Sequence, residues 1–160
     1  MGRAGIVITV AKAVLIFLFC AFFFESLLTA LVVFSILGAL SFMRKNIDTG
    51  VRFRNATIYL VMFLLTIGVY FLNNHIAQKN AGKIINAVEA YTEKNGTYPK
   101  DLSDLVPEYI PSVPRVKYTI NANSFKYETS EKGHILVYTK KPPYGKVYYS
   151  FEEKKWRKSD

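Results

Sequence analysis

Residues 56–72, ATIYLVMFLLTIGVYFL, run for seventeen positions without a charge. At helical rise such a run approaches the roughly 30 Å of a bilayer's hydrocarbon core, so it reads as a membrane span. The preceding apolar stretch, Gly5 to Met43, is 39 residues long. As one helix it would reach roughly 58 Å, too long for a single crossing. Two readings remain open. Either two crossings fold back at Phe24, Glu25, Ser26 and Leu27, or one tilted helix spans Ala13 to Met43 with the first dozen residues at the interface. The first places Glu25 in a solvated turn; in both, Lys12 snorkels towards the interface.

The linker RKNIDTGVRFRN (44–55) carries four basic residues and one acidic one. The positive-inside rule places it in the cytoplasm, so the span from Ala56 leads out and everything after it is extracytoplasmic. Residues 1–72 hold six basic and two acidic side chains, and the remaining 88 hold fifteen and ten. This segregation predicts a membrane anchor over residues 1–55 with its basic linker, and a second part, 56–160, in which a long helix leaves the membrane and enters a folded domain. The one cysteine, Cys20, sits among aliphatics and phenylalanines, where it reads as packing. It excludes an intramolecular disulfide and a cysteine-based metal site. Phe19 ahead of it argues against a lipoprotein, and Ile6 argues against myristoylation. The length of the apolar stretch fits a cleaved signal peptide badly.

Beyond Asn73 the apolar stripe narrows rather than stops. Ala77, Ala81, Ile84, Val88 and Tyr91 recur at helical spacing, while Lys79, Lys83, Asn86, Glu89 and Glu93 fall on the other faces. With no breaker between Ala56 and Lys94, one helix is expected, half in lipid and half amphipathic. Asn95 and Gly96 should end it, with Gly96 left-handed and Tyr98 held extended by Pro99. Asp101 can cap a short turn over Leu102, Asp104 and Leu105 that Pro107 stops. After stiff prolines at 107, 111 and 114, short alternating runs predict strands. These are VKYTI, with Val116, Tyr118 and Ile120 on one face, then FKYET with Phe125 and Tyr127, HILVYT, KVYYSF, and a last strand at Trp156. The turn-like connections NAN, SEKG and KKPPYG suggest an antiparallel meander over one face of the helix.

The stretch INAVEAYTEKNGTYPKDLSDLVPEYIPSVP resembles the junction of type IV pilin-like proteins, most closely the major pseudopilin of type II secretion. In that family a long helix ends in an Asn-Gly-x-Tyr-Pro turn, here Asn95, Gly96, Tyr98 and Pro99, followed by a short helix, prolines and an antiparallel sheet. The resemblance covers about residues 56–151. It implies an α+β fold, with transmembrane helices followed by a pilin-like domain, in the bacterial inner membrane. The glycine-phenylalanine processing site and the glutamate that open the pilin helix are missing from RFRNATIYL. Glu25 in AFFFESLL is a coincidental echo, since Cys20 stands where the glycine would be. Glu152, Glu153 and Asp160, interleaved with lysines, do not make the pseudopilin calcium loop.

No phosphate loop, nucleophile elbow or metal motif is present, so neither catalysis nor a cofactor is expected. His75 and His134 have no partner at ligand spacing and read as structural or solvated. Asp101, Asp104 and Glu108 read as capping and surface carboxylates. The basic groups Lys140 and Lys141, and Lys154, Lys155, Arg157 and Lys158, form the candidate interaction surface. An extracytoplasmic position disfavours nucleic acid as their partner; anionic lipid headgroups or an acidic protein surface are physically equivalent targets, and a plain solvated face remains open. The sequence thus predicts an envelope interaction module with membrane lipid and another envelope protein as partners. A minor pilin or pseudopilin, and an accessory subunit of a transporter or secretion channel, are the alternatives.

Overall fold

In a computed structural model, described over residues 3–24, 27–43, 47–120, 123–130, 133–141 and 145–159, the chain divides into two compact units, Met1–Leu72 and Asn73–Asp160. The architecture is α+β, long N-terminal helices followed by a four-stranded antiparallel sheet.

In the first unit, α1 (Arg3–Leu18) continues into a π-helical segment, Phe19–Phe24, and α2 covers Leu27–Met43. Small residues meet at the helix contacts: Ala13, Cys20 and Ala30 are buried with Phe34 and Tyr59, which allows close approach of the backbones. Cys20 is therefore a packing residue, as expected. Many large apolar side chains, Leu15, Leu28, Leu60 and Phe71 among them, point away from protein. The segment Gly5–Phe22 and the helix α3 (Thr49–Asn95) are each long and apolar enough to cross a membrane; the apolar part of α2, Leu28–Met43, is shorter. Glu25, Ser26, Arg44 and Lys45 lie outside the described residues.

Helix α3 begins seven residues before Ala56, so the second half of the linker is helical. The cause is Asp48, whose side chain accepts the Gly50 N–H at 2.8 Å and whose carbonyl accepts the Arg52 N–H at 3.1 Å, a capping arrangement the basic composition obscured. At 47 residues the helix extends about 70 Å. It ends where expected. Gly96 has φ 71° and donates its N–H to the Thr92 carbonyl at 2.9 Å, the single bond of a left-handed C-terminal cap.

In the second unit Asp101 and Asp104 form a reciprocal cap on a single 3₁₀ turn, Leu102–Leu105, which buries both leucines. Then come β1 (Lys126–Ser130), β2 (Gly133–Lys141), β3 (Gly145–Ser150) and β4 (Lys155–Ser159), paired in that order as a meander. The core lies between one stripe of α3 and one face of the sheet. Ile84, Val88, Leu105, Val116 and Leu136 have no exposed surface, and burial of each contributes about 1.5–3 kcal/mol. Ala77 and Ala81, also fully buried, keep α3 close to its neighbours.

One predicted strand is absent. Residues 116–120 form no ladder, and their alternation is overturned: Val116, Lys117 and Thr119 are buried while Tyr118 and Ile120 are exposed. The Val116 N–H bonds the Asn123 carbonyl at 2.8 Å and folds the segment back on itself. Lys117 turns inward to donate from Nζ to the Lys140 carbonyl at 2.9 Å. Hydrogen bonds at specific atoms thus decided the faces against the hydrophobic pattern.

Candidate functional site: a basic groove floored by aromatics

The strand register assembles the site. Val147 on β3 stands opposite Tyr138 on β2 and Lys158 on β4, and Tyr149 stands opposite Leu136 and Trp156. Because strand side chains alternate, these six share one face, the one that supplies buried residues to the core. Where the sheet faces Gln78, Gly82 and Ile85 of α3, a groove of about 480 Å³ remains, bordered also by Lys140, Arg157 and Lys158. A side chain at position 82 would project into open space, so glycine there keeps one wall low.

Trp156 is held edge-on against Tyr138, with ring centroids 5.7 Å apart, and tilted against Tyr149 at 5.3 Å. It nevertheless leaves 45% of its surface exposed, whereas the two tyrosines are buried. Burial pushes the Tyr138 phenol above its ordinary range. The groove therefore offers an apolar floor, a fixed indole and a cationic rim. That combination is chemically suited to an anionic group carried on an apolar body, through charge, aromatic contact and loss of apolar surface to water.

The six predicted interaction residues are not one surface. Lys140, Arg157 and Lys158 border the groove. Arg157 is committed to Glu153, with Nε 2.7 Å and Nη2 3.0 Å from its carboxylate oxygens, which raises the guanidinium's affinity for its proton. Lys154 sits at the other end of β4, at φ 53°, with Nζ 4.0 Å from Glu89, and Lys155 opens the strand opposite Ser150. Lys141 pairs with Gly145 beyond a register shift in β2.

Of the predicted turn residues, Tyr98 reaches the sheet while Asn95 and Gly96 close the end of α3. Tyr98 stacks on His134 at 4.3 Å and packs against Phe151 at 6.0 Å. Asn95 donates from Nδ2 to the Tyr91 carbonyl at 2.9 Å, and Pro99 is buried. His134 is thus a structural residue. Its backbone N–H donates to the Glu152 carboxylate at 2.8 Å, and its Nδ1 lies 3.0 Å from the same oxygen. Burial alone would raise the Glu152 pKa, but the His134 backbone and ring contacts outweigh it and hold the carboxyl below its ordinary value. Sequence reasoning missed Glu152, because eighteen residues separate it from its partner and no local pattern links them. His75 is exposed on α3. Among the described residues no three His, Cys, Asp or Glu side chains converge to form a metal cage. Comparison with protein-family models, with curated proteins and with solved structures finds no match to this chain.

Proposed function

We propose that this chain is an inner-membrane-anchored interaction module of the bacterial envelope, whose second unit lies outside the cytoplasm and performs no catalysis of its own. The observation that carries it is α3 itself. One uninterrupted helix presents Leu60, Leu64, Leu65 and Phe71 outward along the uncharged run, then turns amphipathic and supplies Ala77, Ala81, Ile84 and Val88 to a sheet-covered core. The turn through Gly96, Tyr98 and Pro99 that closes this core is the part that resembles pseudopilins. Packing of Ala13, Cys20, Ala30, Phe34 and Tyr59 favours two crossings ahead of α3 over a single tilted one. With Arg3 and the basic linker both cytoplasmic, three crossings carry residues 73–160 to the outer side.

Reporter fusions after Asp48 and Asp160 test the topology: the first reads cytoplasmic and the second external. A cytoplasmic Asp160 refutes the proposal. Incorporation into a pilus or pseudopilus is the competing outcome. It would require α3 to leave the bilayer, drawing Arg52 and Arg54 through the hydrocarbon at about 2.5–3.5 kcal/mol each, unless the chain is cut nearby. A form shortened to about residue 55, recovered in sheared surface filaments, would establish that alternative.

A further inference from the structure

The second unit is electrically polarised along α3. From Asn73 to Ile85 the helix carries Lys79 and Lys83 and no carboxylate; from Asn86 onward come Glu89 and Glu93, with Lys94 in the last turn paired to Glu108. The strands follow the division in part, since at the far end Lys154 and Lys155 stand among Glu89, Glu152 and Glu153. Gln78 and Gly82 lie at the groove bordered by Lys140 and Lys158, whereas Glu89 lies 4.0 Å from Lys154 at the far turn, close to the Glu152–His134 pair. Lys146, paired with Thr139 and Ser159, belongs to the Lys140 end. The loop carrying Arg115 is fixed at the same end, since Asn80 Nδ2 donates to the Arg115 carbonyl at 2.8 Å and Lys117 Nζ to that of Lys140. From this loop Tyr118 and Ile120 project with 67% and 64% of their surface exposed. The end of the unit at which α3 enters is therefore cationic, aromatic and studded with exposed apolar side chains.

We infer that this end docks on anionic phospholipid headgroups at the surface from which α3 emerges, with a lipid phosphate at the Lys140–Lys158 rim beside Trp156, and Tyr118 and Ile120 in the interfacial layer. The inference rests on the membrane-anchored reading above. Gln78 follows Leu72 by six residues and Gly82 by ten, a rise of about 9 and 15 Å, so the groove opens just beyond a headgroup layer about 5–8 Å thick, at a height from which long lysine side chains reach back towards the phosphates. Lysines at that level stand within about one Debye length of the phosphates. Indole and phenol rings favour the same layer. An acidic peptide would use the cationic rim, but would leave Tyr118 and Ile120 without a role.

Trp156 is the chain's one tryptophan and reports on the groove directly. The full chain is reconstituted in nanodiscs of phosphatidylcholine, alone or with roughly a third phosphatidylglycerol, each doped with a lipid bearing a nitroxide on its headgroup. Indole quenching should be strong in anionic discs, weak in neutral ones, and reversed by roughly 0.5 M salt. At about a fivefold change per lysine, K140Q/K158Q should lower the docked-to-free ratio about 25-fold, and K140R/K158R should restore it. An unchanged urea midpoint establishes that the variants fold. Quenching that ignores lipid charge, or survives K140Q/K158Q, overturns the inference. So does a poly-glutamate peptide that shifts Trp156 emission in neutral discs while phosphatidylglycerol has no effect, which would assign the groove to an acidic protein. A chain that alkaline carbonate extracts from membranes refutes the anchored reading instead; firm retention with a charge-blind indole refutes the lipid site alone.

Discussion

Replacing Gly133 by alanine should destabilise the second unit through two separable effects. Gly133 opens β2 at φ 104°, where an L side chain is strained by about 1–2 kcal/mol. Its added Cβ would also overlap the Glu152 carboxylate. To escape, that carboxylate must leave the His134 N–H at 2.8 Å and the ring nitrogen at 3.0 Å. Charge-assisted bonds of this kind contribute about 1.5–3 kcal/mol, and with 37% of the glutamate side chain exposed the lower end applies. Gly133→Ala should therefore cost about 2.5–3.5 kcal/mol, and Glu152→Ala about 1.5. The double variant should cost little more than Gly133→Ala alone, because the carboxylate contact can be lost only once. The expected coupling is about 1–2 kcal/mol. Urea unfolding of the full chain in detergent, followed by Trp156 emission, reads the sheet selectively, since that indole packs on Tyr138 and Tyr149. Costs that add to within about 0.5 kcal/mol would show that the carboxylate does not sit over Gly133, and would refute the reasoning.

Three further outcomes follow from the same packing. Gly96→Val should cost about 1–2 kcal/mol, because φ 71° is left-handed and valine is branched; resistance of residues 73–160 to protease should fall while membrane insertion survives, and unchanged resistance would contradict the cap. Acidification should weaken the second unit. Hydrogen bonds from Ser103 hold the Asp101 carboxyl below its ordinary pKa, and the His134 contacts do the same for Glu152 against the opposing effect of burial. Depressed carboxylate pKa values add stability above the unfolded values near 4 and lose it as pH falls through the folded ones, so the urea midpoint should drop below about pH 5, and less steeply in Glu152→Gln. The Tyr127 hydroxyl is buried with no hydrogen-bond partner among the described residues, and burial pushes its pKa up, so Tyr127→Phe should leave stability unchanged or raise it by up to about 1 kcal/mol; a loss above 1 kcal/mol would mean the hydroxyl is satisfied.

What this sequence determines alone is what nearest neighbours along the chain can decide. An uncharged run of membrane length, a stripe at helical spacing, a glycine after Asn95, an aspartate ahead of Leu102 and alternation from Phe125 onward each act within a few residues. Each therefore appears in the structure as a helix, a cap or a strand. Local patterns failed where distant atoms competed for the same groups. VKYTI alternates like a strand, yet a hydrogen bond to Asn123 and the pull of the Lys140 carbonyl on Lys117 keep Val116 in, turn Lys117 and Thr119 inward and leave Tyr118 and Ile120 outside. The Asp48 cap was hidden inside a run conspicuous for its positive charge. The groove belongs wholly to tertiary structure. Its walls come from residues 78–85 and 138–158, and only the register of four strands against one helix brings Trp156, Lys140 and Lys158 to the same opening. Six basic residues looked alike in the sequence because charge is a property of each residue alone. Which of them share a site, and which are spent on Glu153 or Glu89, is settled by distance, and distance is what folding supplies.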